Sequence, residues 1–242
     1  FIAENKKHLN KLKIIIPKYI TYVCITLLLI LRQPDLSSTF AISLILIAML
    51  IVGGLKIKYL FFISFVGLCI IVSSIMLYDF QKERFENWKN KENAIYSQVE
   101  RSKQALYNGG LFGVGFSKSI IKEGFMAEGH TDFILPIIGE EIGFIGILFI
   151  FIIFLIFYFI SISIAKHAPN IFSSLLCIGI AFNILFYFLI NAAYVVGLIP
   201  PTGIAIPFIS YGGSHTLFTL VSVGTLLNIS KYSNIYKRRY LR

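Results

Sequence analysis

Residues 142–165 read IGFIGILFIFIIFLIFYFISISIA, a run of apolar and small polar side chains with no charge in it. A helix of about 20 apolar residues is long enough to cross the roughly 30 Å hydrocarbon core of a bilayer. Residues 59–77 and 171–190 form two more uncharged runs of similar length. The three runs therefore predict membrane-spanning helices.

Three further apolar segments are less regular, because the first contains Pro17 and Lys18 and the last is rich in Gly, Ser and Thr. The composition agrees with a lipid environment, since 57% of the residues are hydrophobic and 14% are charged, against about 25% charged in soluble domains. We expect residues 1–242 to form a single transmembrane domain of the all-α class, a polytopic helical membrane bundle. The six predicted helices are residues 14–31, 36–53, 57–78, 133–165, 171–192 and 212–230.

The distribution of basic residues predicts the orientation of these helices. An even number of spans places both ends of the segment on one side of the membrane. Most of the 22 Lys and Arg residues fall on that side, among them the cluster at 237–239. Because positive charge accumulates in cytoplasmic loops, we expect both ends in the cytoplasm. The net charge of +10 then reflects topology and contact with anionic lipid headgroups, not a nucleic-acid partner.

The beginning of the chain resembles the end of an earlier helix. It opens on Phe1 instead of Met, and apolar residues are followed at once by Glu4, Lys6 and Lys7. A signal peptide would show a longer apolar stretch after a basic start. We therefore expect the chain to be a piece of a longer protein.

Two long segments fall on the non-cytoplasmic side, an extracytoplasmic loop at 79–131 and a stretch at 193–214. Loops of such length are usually functional. Residues 79–103 mix charges with aromatic side chains, which favours a helix at the headgroup boundary or a docking surface for a partner. Residues 108–116 hold four glycines, whose backbone N–H groups could cradle a phosphate. Residues 193–214 combine Pro and Gly with apolar side chains, which is typical of a re-entrant, cavity-lining segment.

Acidic residues near the start of the fourth predicted helix are the candidates for chemistry. Thr131 or Asp132 could cap this helix, but an Asp that faces a cavity could be a general base or a metal ligand. Glu140 and Glu141 lie about 12 Å into the helix at ~1.5 Å per residue. Ionisable groups at that depth usually face the bundle interior or a wet cavity. A structural tie between helices is the alternative.

Four stretches, in this order, are similar to motifs of the SEDS family (shape, elongation, division and sporulation), which includes the FtsW, RodA and SpoVE types. The resemblance implies ten transmembrane helices, of which this chain would hold helices five to ten. Gly129 and the Gly-Val-Gly run at 113–115 favour the division type. The four stretches are Gln33-Pro34-Asp35-Leu36, residues 108–115, residues 130–134 with 139–143, and residues 201–203 with 210–214.

This resemblance also implies an activity and a site. The implied protein is a peptidoglycan glycosyltransferase of the bacterial cytoplasmic membrane, which polymerises lipid II on the outer face during cell division or elongation. Asp132 would be catalytic, as general base or as a ligand of Mg²⁺ or Mn²⁺. Expected partners are lipid II, a class B penicillin-binding transpeptidase, other divisome proteins and membrane lipids. Expected substrate-binding residues are Glu128, His130, Thr131, Ser210, Tyr211, Gly212 and Gly213, and expected secondary polar residues are Gln33, Asp35, Glu140 and Glu141.

Two other functions stay open at this point. A flippase for lipid-linked sugars would depend on Glu140 or Glu141 in a wet cavity. A non-catalytic scaffold would recruit a transpeptidase through residues 79–103. Replacement of the individual acids distinguishes the three functions, because only the glycosyltransferase requires Asp132.

Overall fold

The computed structural model describes residues 1–6, 21–33, 36–61, 65, 67, 86, 94–120 and 131–233. All regular structure with defined bounds in these ranges is helical, in agreement with the predicted all-α class. Residues 57–78, one of the predicted spans, are described only at 57–61, 65 and 67. The helices are α1 (Thr21–Arg32), α2 (Leu36–Gly53), α3 (Ala94–Gly109), α4 (Ile134–Lys166), α5 (Ile171–Val195) and α6 (Gly213–Lys231).

Within the described residues, two helices are long and apolar enough to cross a membrane, namely α4 and α5. Both have high hydropathy, and less than half of the most apolar stretch of each is buried within the protein. Helix α1 and residues 37–53 of α2 are apolar but shorter. A helix whose apolar side chains face outward to this degree needs an apolar surrounding, which the interior of a bilayer supplies.

The turn between α4 and α5 is specified by the local sequence. Lys166 lies in the last turn of α4, where a cation interacts favourably with the helix dipole. Pro169 follows and cannot continue the helix. The side-chain oxygen of Asn170 then accepts a hydrogen bond from the Ser173 N–H at 2.8 Å, which caps the start of α5.

The chain divides into two compact units. The first comprises Phe1–Glu83, Ile160–Asn183 and Gly224–Arg242, and the second comprises Arg84–Phe159 and Ile184–Val223. The first has a small core of four buried side chains, which are Ile2, Leu50, Leu55 and Leu175.

The core of the second unit joins α3 and α5 with the residue that directly precedes α4. Val99, Phe133, Tyr194 and Val195 are buried together, and the rings of Phe133 and Tyr194 meet edge to face at 5.5 Å. Further along, Phe188 of α5 stacks on Phe154 of α4 with ring centroids 4.6 Å apart. Aromatic pairs of these geometries contribute about 0.5–1.5 kcal/mol each beyond the burial of their area. This packing positions the residues just before α4 against α5.

Helix α4 is interrupted at Gly143, whose backbone has φ 79° and ψ −174°. A break of this kind interrupts the regular helical hydrogen bonding, and unpaired backbone groups are costly in an apolar environment. The glycine-rich segment after α3 supplies partners: Phe144 N–H donates to Gly110 O at 2.9 Å, and Ile145 N–H donates to Leu111 O at 3.2 Å. A Cβ atom at Gly143 would lie 2.4 Å from the Gly113 nitrogen, so only glycine permits this approach.

The same segment also donates to α4. Val114 N–H donates to Glu140 O at 2.9 Å, and Gly115 N–H donates to Glu141 O at 3.0 Å. Gly113 N–H donates to Gly109 O. The hypothesis that these N–H groups cradle a phosphate is therefore wrong, because protein carbonyls already accept from them.

The two long segments between predicted helices differ in structure. Helix α3 begins inside the predicted headgroup helix of 79–103 and continues beyond it to Gly109, whereas 79–93 lies outside the described residues except for Glu86. In the 193–214 stretch, α5 continues to Val195 and α6 begins at Gly213. The backbone between them is irregular and has positive φ at Gly197, Gly203 and Phe208.

Candidate active site

Asp132 lies two residues before α4, and two side chains of α5 hold its backbone. Its carbonyl oxygen accepts from Asn191 Nδ2 at 2.8 Å and from the Tyr194 hydroxyl at 2.5 Å. Both donors are fully buried, and buried hydrogen bonds to a fixed carbonyl restrict the backbone strongly. The position of Asp132 is therefore set by α5 as well as by its own chain.

Asn191 also ties the irregular segment to this place. Its Nδ2 donates to Ile204 O at 2.7 Å, so one amide group bridges the backbones of Asp132 and Ile204. Neighbouring Gly203 has φ +71°, and a Cβ atom there would lie 3.3 Å from Asp132 Oδ2. The backbone of the 196–212 segment thus packs directly against the Asp132 carboxylate, and the absence of a side chain at Gly203 makes room for it.

A cavity of about 810 Å³ opens beside this segment. The stretch Ser210–Gly213 forms one wall, and all four residues are among the predicted substrate-binding residues. Leu217, Leu220 and Val221 of α6 form an apolar wall. The cavity therefore combines a polar backbone edge with an aliphatic surface, as an amphiphilic ligand requires. Its lining comprises Ile134, Ile209, Ser210, Tyr211, Gly212, Gly213, Thr216, Leu217, Leu220 and Val221.

Asp132 is close in sequence to a residue that lines the cavity. Ile134, which lines the cavity, follows Asp132 by two residues. Ser210 is buried, and its hydroxyl oxygen accepts from Ile206 N–H at 2.8 Å, so it shapes the wall. Tyr211 has 79% of its surface exposed. A large aromatic side chain in this state is available for contact with a ligand.

Glu140 is completely buried, and hydrogen bonds to its carboxylate hold the side chain in place. Ser119 Oγ donates to Oε2 at 2.5 Å, and Asn108 Nδ2 donates to Oε1 at 3.4 Å. These bonds join α4 to the end of α3 and to the segment that follows it. Glu141 is half-buried, and neither acid lines the cavity described above. The described contacts of Glu140 are those of a structural tie.

The remaining predicted site residues are distributed as follows. Thr131 is half-buried beside Asp132. Gln33 is exposed at the end of α1, where its backbone N–H donates to Ile30 O. Glu128, His130 and Asp35 lie outside the described residues.

Sequence reasoning missed Asn191 and Tyr194. A signal for Asn191 was available: it follows the uncharged run 171–190 directly, and an amide at the end of such a run must find a hydrogen-bond partner. Tyr194 gave no comparable signal, because tyrosine is common at membrane interfaces without any specific partner.

A metal site at Asp132 is not supported by the described residues. Among them, no group of three or more His, Cys, Asp and Glu side chains is arranged to hold a metal ion. Mg²⁺ prefers several oxygen ligands in octahedral geometry. Glu128 and His130 are not among the described residues.

Comparison with known proteins gives a consistent result. A family model described as cell cycle protein, of the FtsW, RodA and SpoVE types, matches residues 1–235. Stage V sporulation protein E of Bacillus subtilis is 35% identical over 236 residues, which cover 96% of this chain and 64% of that protein. The probable peptidoglycan glycosyltransferase FtsW of the same organism is 38% identical over 226 residues, covering 87% and 56% respectively. The chain thus spans about six tenths of the length of the curated relatives it matches.

The fold is shared with solved structures, among them the following two. One is a chain of a peptidoglycan synthase complex in which polymerization and crosslinking are coordinated, with a TM-score of 0.74 and 22% identity over 90% of this chain and 62% of that chain. The other is a mutant of the rod shape-determining protein RodA of Thermus thermophilus, with a TM-score of 0.61 and 19% identity over 96% and 63%. Because sporulation, division and rod-shape names all occur among the matches, the division type stays a prediction.

Proposed function

The chain belongs to the FtsW, RodA and SpoVE family of cell cycle proteins, and we propose that it is the part of a peptidoglycan glycosyltransferase that carries the catalytic carboxylate, Asp132. The observation that carries this proposal is the placement of Asp132. Two buried donors hold its backbone, and an irregular backbone segment packs against its carboxylate. The chain leads from it directly into the wall of a cavity.

The proposed reaction joins two lipid-linked sugars. A hydroxyl oxygen of the acceptor sugar forms a bond to the anomeric carbon of the donor, and the bond from that carbon to the lipid pyrophosphate breaks. Asp132 accepts the hydroxyl proton as the attack proceeds, which is general base catalysis. The pyrophosphate leaves with the bonding electron pair, and hydrogen-bond donors of the site stabilise its charge.

The rigid hold on Asp132 supports the role of a base. Proton transfer requires the carboxylate to lie within about 2.6–3.2 Å of the hydroxyl oxygen, and a displacement of ~1 Å can reduce the rate about 100-fold. Bonds from Asn191 and Tyr194 limit such displacement at the main chain. Thr131, Glu128 and His130, which are close in sequence, would contact the sugar beside the base.

The cavity supports a lipid-linked substrate such as lipid II. Its aliphatic wall on α6 suits a polyprenyl chain, while Ser210–Gly213 would face the pyrophosphate and sugar. Because α4 and α5 are candidate spans, we place the protein in the bacterial cytoplasmic membrane. Six of ten spans would lie in this chain, with both of its ends cytoplasmic and the site on the outer side.

A class B penicillin-binding transpeptidase is the proposed protein partner, together with other divisome proteins. The structure of highest similarity described above comes from a complex that couples polymerization with crosslinking, which supports a partner of this kind. A divalent cation, Mg²⁺ or Mn²⁺, ligated by Asp132 is the alternative to the base. It would need ligands beyond the described residues.

The test uses the full-length protein with its transpeptidase and labelled lipid II. Asp132→Asn keeps the size of the side chain but removes the base, so glycan chains should appear on a gel with the wild type and not with the variant. Glu4→Gln, an exposed acid in the other unit, is the matched control and should behave as wild type. Equal chains from Asp132→Asn would overturn the assignment. Loss of activity in EDTA, with recovery in Mn²⁺, would favour the ligand role over the base.

A further inference from the structure

The segment after α3 exposes a group of large apolar side chains that the proposed reaction does not use. We name Leu111, Phe112, Phe116 and Ile120 the apolar edge; 62%, 80%, 78% and 65% of their surfaces are exposed. Four such side chains within ten residues form a patch of the kind that marks an interaction surface.

The apolar edge is held in the exposed position by the backbone. Gly110 and Leu111 accept hydrogen bonds from Phe144 and Ile145 of α4. At its other end, Ser119 donates to the buried carboxylate of Glu140. These bonds fix the course of the backbone on both sides of the edge, and the four side chains extend outward from it.

The edge is continuous with the outward face of α4. Phe144 and Ile145, which bond to the segment, are themselves 57% and 49% exposed, and Phe149 one turn further is 64% exposed. Outward apolar side chains on a spanning helix face lipid. The apolar edge therefore adjoins and enlarges the lipid-facing surface of α4.

The length of α4 places this junction at a membrane boundary. From Lys166, a basic residue at one end of the helix, to Phe144 just after the break is ~33 Å at ~1.5 Å per residue, about the thickness of the hydrocarbon core. Lys166 marks one interface, so Phe144 and the adjoining edge lie at the other. Aromatic residues are typical of that level, and a cation such as the exposed Lys118 can meet a lipid phosphate there.

We propose that the apolar edge inserts into the lipid leaflet that borders the Phe144 end of α4, and that it binds membrane lipid and not another protein. The inference rests on α4 crossing the membrane and does not depend on the proposed transfer reaction. It gives the fold a second membrane contact beside its spans, close to the end of α4 at which Asp132 lies.

The test measures the depth of single tryptophans in the full-length protein. Trp88 is the only tryptophan of the chain. A background with Trp88→Phe, and with Phe at any tryptophan in the rest of the full-length protein, therefore carries Phe112→Trp or, as an independent second position, Phe116→Trp. The protein is reconstituted into vesicles of phosphatidylcholine and phosphatidylglycerol with brominated acyl chains. Phe149→Trp is the lipid-exposed control, and Glu100→Trp, on the polar surface of α3, is the aqueous control.

We expect bromine to quench both edge tryptophans about as strongly as Phe149→Trp, and at least about twofold more than Glu100→Trp. The quenching should persist when the transpeptidase partner is added. Quenching at the level of Glu100→Trp would overturn the proposal, since other parts of the chain would then cover the edge. Quenching that is lost on addition of the partner would also overturn it, because the edge would then be a protein-docking surface.

Discussion

Asp132 and Glu140 are two acids of one unit, eight residues apart, that the structure holds in opposite ways. At Asp132, hydrogen bonds from Asn191 and Tyr194 act on the main-chain carbonyl. At Glu140, bonds from Ser119 and Asn108 act on the carboxylate itself. The hydrogen bonds to Glu140 engage both of its carboxylate oxygens and stabilise the fold, whereas those from α5 fix the main chain at Asp132. Residue type alone does not distinguish the two acids, because the difference lies in the atoms on which these hydrogen bonds act.

The largest effect should come from Asp132→Asn. General base catalysis contributes roughly 10²–10⁴-fold, so polymerisation of labelled lipid II by the full-length complex should fall by about that factor. The unfolding temperature in detergent should stay near that of the wild type, because Asn keeps the size of the side chain and leaves the backbone carbonyl that the α5 donors bind. If Asp132→Asn lost stability together with activity, Asp132 would act as a structural residue like Glu140, and the proposed difference between the two acids would be wrong.

Gly203→Ala should have the next largest effect on activity. The substitution forces a residue with a side chain to φ +71° and places a methyl group 3.3 Å from Asp132 Oδ2. Displacement of the carboxylate by a fraction of an ångström to ~1 Å should reduce the rate up to about 100-fold. Gly224→Ala in α6, where an added Cβ meets nothing within 4 Å, is the matched control. Equal rates for both variants would show that the irregular segment does not position the base.

Glu140→Ala should reduce stability more than chemistry. The change removes the shared acceptor of Ser119 and Asn108, and unsatisfied buried polar groups cost about 1–3 kcal/mol. The apparent unfolding temperature should fall clearly, while glycan synthesis below that temperature should persist. Glu140→Gln keeps an acceptor oxygen and should recover part of the loss. Abolished synthesis by a stably folded Glu140→Gln protein would instead favour the transport hypothesis.

The smallest effect should come from Tyr194→Phe. It removes one of two donors to the Asp132 carbonyl and keeps the ring that packs on Phe133. One hydrogen bond contributes about 0.5–1.5 kcal/mol, so the rate should fall about 2- to 10-fold with little change in the lipid II concentration that half-saturates the enzyme. Tyr232→Phe, an exposed tyrosine beyond α6, should be neutral. If Tyr194→Phe selectively raised the lipid II concentration that half-saturates the enzyme, Tyr194 would instead be assigned to substrate binding.

Much of this arrangement followed from the sequence alone. Uncharged runs predicted the helices α4 and α5. Apolar side chains are stable in lipid, and a helical backbone forms its hydrogen bonds internally. Pro and Gly in 193–214 predicted irregular backbone, because neither residue favours a helix interior. The order of the motifs identified the family and drew attention to Asp132.

Tertiary structure decided how these parts meet. The glycine-rich segment pairs with the break in α4. The sequence could not show this, since main-chain hydrogen bonds between residues 26 or 34 positions apart leave no periodic signal. The phosphate-cradle hypothesis failed for that reason. Likewise Asn191 and Tyr194 reach Asp132 across about 60 residues of sequence, and only folding brings them together. Local patterns thus determined the helices and the candidate acids, while long-range packing determined that α5 holds the backbone of Asp132 and that Ser119 and Asn108 hold the carboxylate of Glu140.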